Sequence, residues 1–124
     1  MSKKILVIDD EEMIIKSLTK LLERNNYKVM IVKKGMDALE VVEEETFDLI
    51  ICDIRMPGIN GVETIINIKK TLETKGEKLP SLIFITGYAD KDCEEKAKTL
   101  NPAAYIYKPF DIVQMLEQVR KVLA

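Results

Sequence analysis

The chain contains no histidine. That absence excludes Ser-His-Asp and Cys-His catalysis and the common His-containing zinc sites. The two cysteines, Cys52 and Cys93, have the spacing of neither a metal site nor a redox pair. Cys52 ends an apolar run and reads as core filler, and Cys93 as an ordinary packed residue. No apolar stretch approaches the roughly 20 residues of a membrane span. Met1-Ser2-Lys3-Lys4 leads straight into a strand-length run, where a signal peptide needs a longer apolar region. A net charge of −2 leaves no basic field for nucleic acid or an anionic membrane. The expected location is cytoplasmic, with no membrane partner and no direct nucleic acid binding. Any chemistry here must use carboxylates, hydroxyls, lysine and a metal held through oxygen.

What is present is a chain of 124 residues, 47% apolar and 32% charged, enough for one globular domain with a real core. Its informative feature is where the apolar runs stop. Lys4-Ile5-Leu6-Val7-Ile8 runs into Asp9-Asp10, and Leu49-Ile50-Ile51-Cys52 into Asp53. Leu82-Ile83-Phe84-Ile85 runs into Thr86-Gly87, and Ala104-Tyr105-Ile106-Tyr107 into Lys108-Pro109. Short unbroken runs rich in Ile and Val read as strands covered on both faces, hence as parallel strands. Strands are expected at about 4–8, 28–32, 48–52, 81–85 and 104–107, with helices at about 11–25, 36–45, 62–74, 90–100 and 112–123. The strict alternation predicts an α/β three-layer sandwich, a flavodoxin-like (βα)5 fold with a parallel five-stranded sheet of order 2-1-3-4-5. No Gly-rich phosphate loop follows the first strand, which counts against a nucleotide site.

The helices differ in how much they can bury. The first carries Ile14, Ile15, Leu18, Leu21 and Leu22 on one face, and the third Val62, Ile65, Ile66 and Leu72, with Gly76 as its stop. The fourth has only a thin stripe of Cys93, Ala97 and Leu100, so it is expected to be held least firmly. The fifth is expected to turn Ile112, Leu116, Val119 and Leu123 inward, with Asp111 as its N-cap.

In such sheets the carboxyl ends of the strands form the ligand crevice. Asp9, Asp10 and Asp53 converge there, and clustered carboxylates repel unless a cation occupies the gap. Mg²⁺ suits an all-oxygen set. Asp53 would then be a nucleophile toward an incoming phosphoryl group, giving an acyl phosphate. Lys108 supplies a mobile point charge able to pair with Asp53 and then with phosphate, and Pro109 beside it allows a cis peptide. Thr86 supplies a hydroxyl, and Gly87 leaves a backbone N–H free to approach an anion.

These residues bring the chain close to a known family. Leu6-Val7-Ile8-Asp9-Asp10-Glu11, Asp53-Ile54-Arg55-Met56-Pro57-Gly58 with Gly61, Thr86-Gly87 and Tyr105-Ile106-Tyr107-Lys108-Pro109-Phe110 stand in order at matching spacing. Over residues 1–124 the chain resembles the receiver (phosphoacceptor) domain of two-component response regulators. The resemblance implies that Asp53 accepts the phosphoryl group. It also implies that Asp10, Asp53 and the backbone carbonyl of Arg55 bind Mg²⁺ directly, with Asp9 acting through water. Lys108 would contact the phosphate across a cis bond to Pro109. Thr86 would read the phosphate out, with Tyr105 as the switch aromatic and a changed surface on the fourth helix, fifth strand and fifth helix.

The donor would be a phosphohistidine on a sensor histidine kinase or histidine phosphotransfer protein, and the output a downstream effector protein or domain. The chain would catalyse only its own phosphorylation and dephosphorylation. A receiver-like binding scaffold working without phosphorylation, or a Mg²⁺-dependent phosphatase with an aspartyl nucleophile, are the alternatives. The phosphatase places a general acid two beyond its nucleophile, and Arg55 at that position cannot serve. Arg55 and Tyr88, two beyond Asp53 and Thr86, are expected to overhang the crevice, exclude water and prolong the phosphorylated state. The segment from Thr71 to Pro80 is longer than a compact receiver needs.

Overall fold

The computed structural model describes residues 2–87 and 90–124. Ten elements alternate: β1 (Lys4–Ile8), α1 (Glu12–Arg24), β2 (Lys28–Val32), α2 (Gly35–Glu44), β3 (Leu49–Asp53), α3 (Gly61–Thr74), β4 (Ser81–Thr86), α4 (Lys91–Lys98), β5 (Ala104–Tyr107) and α5 (Ile112–Val122). The strands pair in parallel in the order β2-β1-β3-β4-β5, as the alternation predicts.

The pleat divides the core in two, because successive strand side chains point to opposite faces. Leu6, Ile8, Ile50, Cys52, Leu82 and Phe84 pack with Val42 of α2, Ile65 and Ile68 of α3, and Ala97 of α4. Ile5, Val7, Leu49, Ile51, Ile83 and Ile85 pack with Leu18 and Leu22 of α1, and Met115 and Val119 of α5. All five β3 residues are buried, as expected of a strand with a neighbour on each side and helices above and below.

Helix ends follow local chemistry. α3 closes with a left-handed Gly76 at φ +74°, where Gly76 N–H reaches Glu73 O and Glu77 N–H reaches Leu72 O. The first four residues of the long segment Thr71–Pro80 therefore belong to the helix, and Leu72 among them is buried. α5 is capped by Asp111, whose carboxylate accepts from Val113 N–H. Its inward face is not the expected one. Ile112 is exposed, Leu116 and Leu123 are half-buried, and Met115 shares full burial with Val119. The first turn of α5 stands at the carboxyl rim of the sheet, beyond the reach of strand side chains, so the buried stripe starts a turn later.

α4 is the weakly held helix that its thin stripe implies: Ala97 is its one buried residue, with Cys93 half-buried. No helix among the described residues is long and apolar enough to cross a membrane.

Candidate functional site

Register brings the acids together. Ile8 pairs with Cys52, so Asp9 and Asp53, one residue on in each chain, emerge side by side where β1 and β3 end. Asp53 is 2% exposed and Asp9 fully buried, whereas Asp10 faces solvent. One carboxylate oxygen from each of the three lies within 4.8 Å of the other two. Gly61 fixes the position of Asp53 from below. A Cβ there would meet the Asp53 carbonyl at 2.1 Å, so only glycine lets the start of α3 close on the end of β3. Gly61 N–H seals the contact on Ile54 O at 2.7 Å.

Lys108 reaches the cluster from β5. Its ammonium lies 3.2 Å from Asp53 Oδ2, 3.1 Å from Asp9 Oδ2 and 2.6 Å from Glu11 Oε1. The Lys108–Pro109 peptide is cis, and Lys108 N–H donates to Thr86 O at 2.7 Å. Arg55 N–H donates to Asp53 Oδ1 at 3.3 Å and Glu11 N–H to Asp9 Oδ1 at 2.9 Å.

The charges are coupled. Burial, then the neighbouring Asp9 charge, pushes the Asp53 carboxyl up to about 6 despite the opposing pull of Lys108. Burial likewise raises Asp9. Burial works to lower the Lys108 ammonium, but Glu11, Asp53 and Asp9 outweigh it and push it up to about 12. Two carboxyls held above their ordinary range mark a site short of positive charge. Asp9 Oδ2 is buried, and beyond the Lys108 ion pair it has no hydrogen-bond partner among the described residues. An oxygen-only set with such a deficit fits a hard divalent cation.

On the β4 side, Thr86 is buried at the strand end and Gly87 is exposed, with open space where a side chain would stand. Thr86 and Tyr105 line one half-open cleft of about 290 Å³ with Ile54, Arg55, Asn60, Asp90 and Cys93. Tyr105 is half-buried, its ring centroid 6.3 Å from Phe84 and 5.5 Å from Tyr107. Tyr107 O–H donates to Glu94 of α4 at 3.1 Å. Asp9, Asp10, Asp53 and Lys108 stand together, Thr86 ends the adjoining strand with its carbonyl on Lys108 N–H, and Tyr105 shares the cleft that Thr86 lines. Tyr88 lies outside the described residues. In the sequence Glu11 stands only as the last residue of the Leu6–Glu11 motif; its contact with Lys108 spans 97 residues of chain, and no local signal marks it.

A family model described as the response regulator receiver domain matches residues 5–120. The sporulation initiation phosphotransferase F of Bacillus subtilis is 31% identical, over 99% of this chain and 95% of its own length. A solved response regulator receiver domain protein from Methanospirillum hungatei gives a TM-score of 0.89 at 29% identity, covering 99% of this chain and 94% of that one. A response regulator of Burkholderia pseudomallei, solved with a phosphorylated aspartic acid and a calcium ion, gives 0.78 at 26% identity, covering 93% of this chain and 65% of that one.

Proposed function

The chain belongs to the response regulator receiver domain family, and from that premise we propose that it is a signalling switch phosphorylated on Asp53 by a phosphohistidine partner. The observation that carries this reading is the Lys108 ammonium, held 3.2 Å from Asp53 and 3.1 Å from Asp9 at the carboxyl edge of the sheet. Asp10, Asp53 and the Arg55 carbonyl would hold Mg²⁺, with Asp9 acting through water, and the ion would offset negative charge on both reactants.

The remaining work belongs to the chain's own side chains. An Asp53 oxygen attacks phosphorus, a P–O bond forms as the P–N bond of the donor breaks, and the imidazole leaves with the bonding electron pair. Lys108 pairs with the transferred group, which carries roughly −1.5 to −2 charge where the free carboxylate carried one. Gly87 N–H offers a further donor. Thr86 then moves toward the phosphoryl oxygens, and Tyr105 turns into the space it leaves. The shift changes the face of α4, β5 and α5 that a downstream effector reads, as a population shift between existing states. Acetyl phosphate should add one hydroxylamine-sensitive phosphoryl group in Mg²⁺ and none in EDTA; equal labelling in both would overturn the assignment. The proposed setting is the cytoplasm.

The partner's approach has support in surface composition. The exposed large apolar side chains among the described residues are Met13, Met36, Tyr107, Ile112 and Val113. Four of them stand in the first turns of α1, α2 and α5, and Tyr107 ends β5, so all five lie along the carboxyl edge of the sheet, on the side of the crevice. We expect Met13→Ala/Ile112→Ala to slow transfer from the phosphohistidine partner by roughly tenfold, the loss of one good interface contact, and to leave acetyl phosphate labelling unchanged. Transfer at the wild-type rate would place the partner elsewhere.

Arg55 is exposed beside Asp53 and lines the cleft. Hydrolysis needs a water in line with the scissile bond, and a bulky cation over that approach hinders it without orienting the water. Arg55→Asn should shorten the half-life of the acyl phosphate severalfold in saturating Mg²⁺. An unchanged or longer half-life would remove Arg55 from that role.

A further inference from the structure

Glu11 makes the shortest of the three Lys108 contacts, 2.6 Å against 3.1 Å for Asp9 and 3.2 Å for Asp53. An ammonium has three donors and no acceptor, and here three carboxylates surround it. If Asp53 is the phosphoacceptor, as proposed above, its own place on the ammonium passes to the phosphoryl group, and a second phosphoryl contact must take a place that Asp9 or Glu11 holds. The Asp9 side chain is fully buried, and beyond the Lys108 ion pair its Oδ2 has no hydrogen-bond partner among the described residues, so withdrawing Lys108 would strand a charge. The Glu11 side chain is 57% exposed and returns to water at little cost. Glu11 is also the N-cap of α1 but makes no side-chain cap hydrogen bond, so its carboxylate is not needed to start the helix. Of the two carboxylates beside Asp53, it is the one that can give way.

We propose that the Glu11 carboxylate is a latch on Lys108: it holds the ammonium in the unphosphorylated protein and must let go before Lys108 can turn a second donor to the phosphoryl group, so that Glu11 restrains phosphorylation. Glu11 is in this sense a positioning residue, acting on the reaction through Lys108. It requires the phosphoacceptor role of Asp53 but adds a residue and a direction of effect which that role does not contain.

Glu11→Gln keeps the length of the side chain and an acceptor oxygen but removes the charge that makes the contact strong. The control is Glu12→Gln. Glu12 is 62% exposed and pairs with Lys33, so this change deletes the same charge one residue along without touching Lys108. Initial labelling rates are measured in saturating Mg²⁺ with phosphoramidate and with acetyl phosphate, which differ in charge. Released from the latch, Glu11→Gln should label about two- to fivefold faster, the span of an exposed ion pair. The gain should be equal for the two donors, with Glu12→Gln at the wild-type rate and all three proteins fully folded under the assay conditions. Wild-type or slower labelling by Glu11→Gln overturns the latch while leaving Asp53 as acceptor. An equal gain in Glu12→Gln, or a gain that grows with donor charge, also overturns it, in favour of plain repulsion of the donor. If neither wild type nor Glu11→Gln labels, the phosphoacceptor assignment fails and the latch falls with it.

Discussion

Asp53→Asn should take up no phosphoryl group from acetyl phosphate, and should fold more stably than the wild type when no divalent cation is present. The second result follows from the same crowding that makes the first possible. Burial and Asp9 raise the Asp53 carboxyl from its ordinary 3.8 to about 6. A carboxyl that holds its proton more tightly folded than unfolded gives a fold that weakens as pH rises, since the folded state binds more protons across that interval. The cost is absent below about pH 4, develops between pH 4 and 6, and is complete above 6. Two pKa units correspond to roughly 2–3 kcal/mol. Asparagine keeps the shape and discards that cost. Urea unfolding in EDTA should show the variant's advantage opening across this interval and narrowing when Mg²⁺ is added. An advantage of the same size at pH 4 and pH 7 would put its origin outside the ionisation of Asp53, and a fully labelled variant would move the acceptor to another residue.

Lys108→Ala should do the reverse to stability and still silence the output. The Lys108 ammonium is raised from 10.5 to about 12 by Glu11, Asp53 and Asp9, against burial. A lysine raised in this way lends stability that is complete below about pH 10.5 and is lost as pH climbs through 12. At neutral pH the alanine variant therefore forfeits all of it, on the order of 2 kcal/mol. Mg²⁺ should restore much of the loss by supplying charge to the same carboxylates. In saturating Mg²⁺ the variant should be native by amide spectra, and on phosphorylation the amides of α4 and β5 should fail to shift. A chain that remains unfolded in saturating Mg²⁺ would make Lys108 a structural residue instead.

How far the sequence reaches depends on how local each cause is. The ends of the apolar runs located β1, β3, β4 and β5 to within a residue, because a strand packed under helices stays apolar until it leaves the sheet. Asp9, Asp53, Thr86 and Lys108 were legible for the same reason: each is the first polar residue past such an end, and Asp10 follows directly on Asp9. The inward face of α5 was not, since spacing alone cannot say that Ile112 stands at the rim of the sheet while Met115 lies beneath it. Glu11 was missed as a partner of Lys108 because nothing near residue 11 announces an ammonium brought in from β5. The burial that pushes Asp53 upward is likewise a property of the packed molecule.

The clearance at Gly61 has a mechanical consequence. With no room for a single methyl between the Asp53 carbonyl and α3, and with Val62, Thr64, Ile65, Ile68 and Leu72 buried behind it, that side of the acceptor behaves as an anvil. On the other side α4 is anchored through Ala97, and β5 meets it through the Tyr107–Glu94 hydrogen bond. On the proposed phosphorylation of Asp53, the α3 side should therefore hold its place and the α4 side should yield. For anyone building a reporter from this domain, a dye on Lys69 or Lys70 of α3 rides on the stationary half. One on Glu95 or Lys96 of α4 rides on the half that can give.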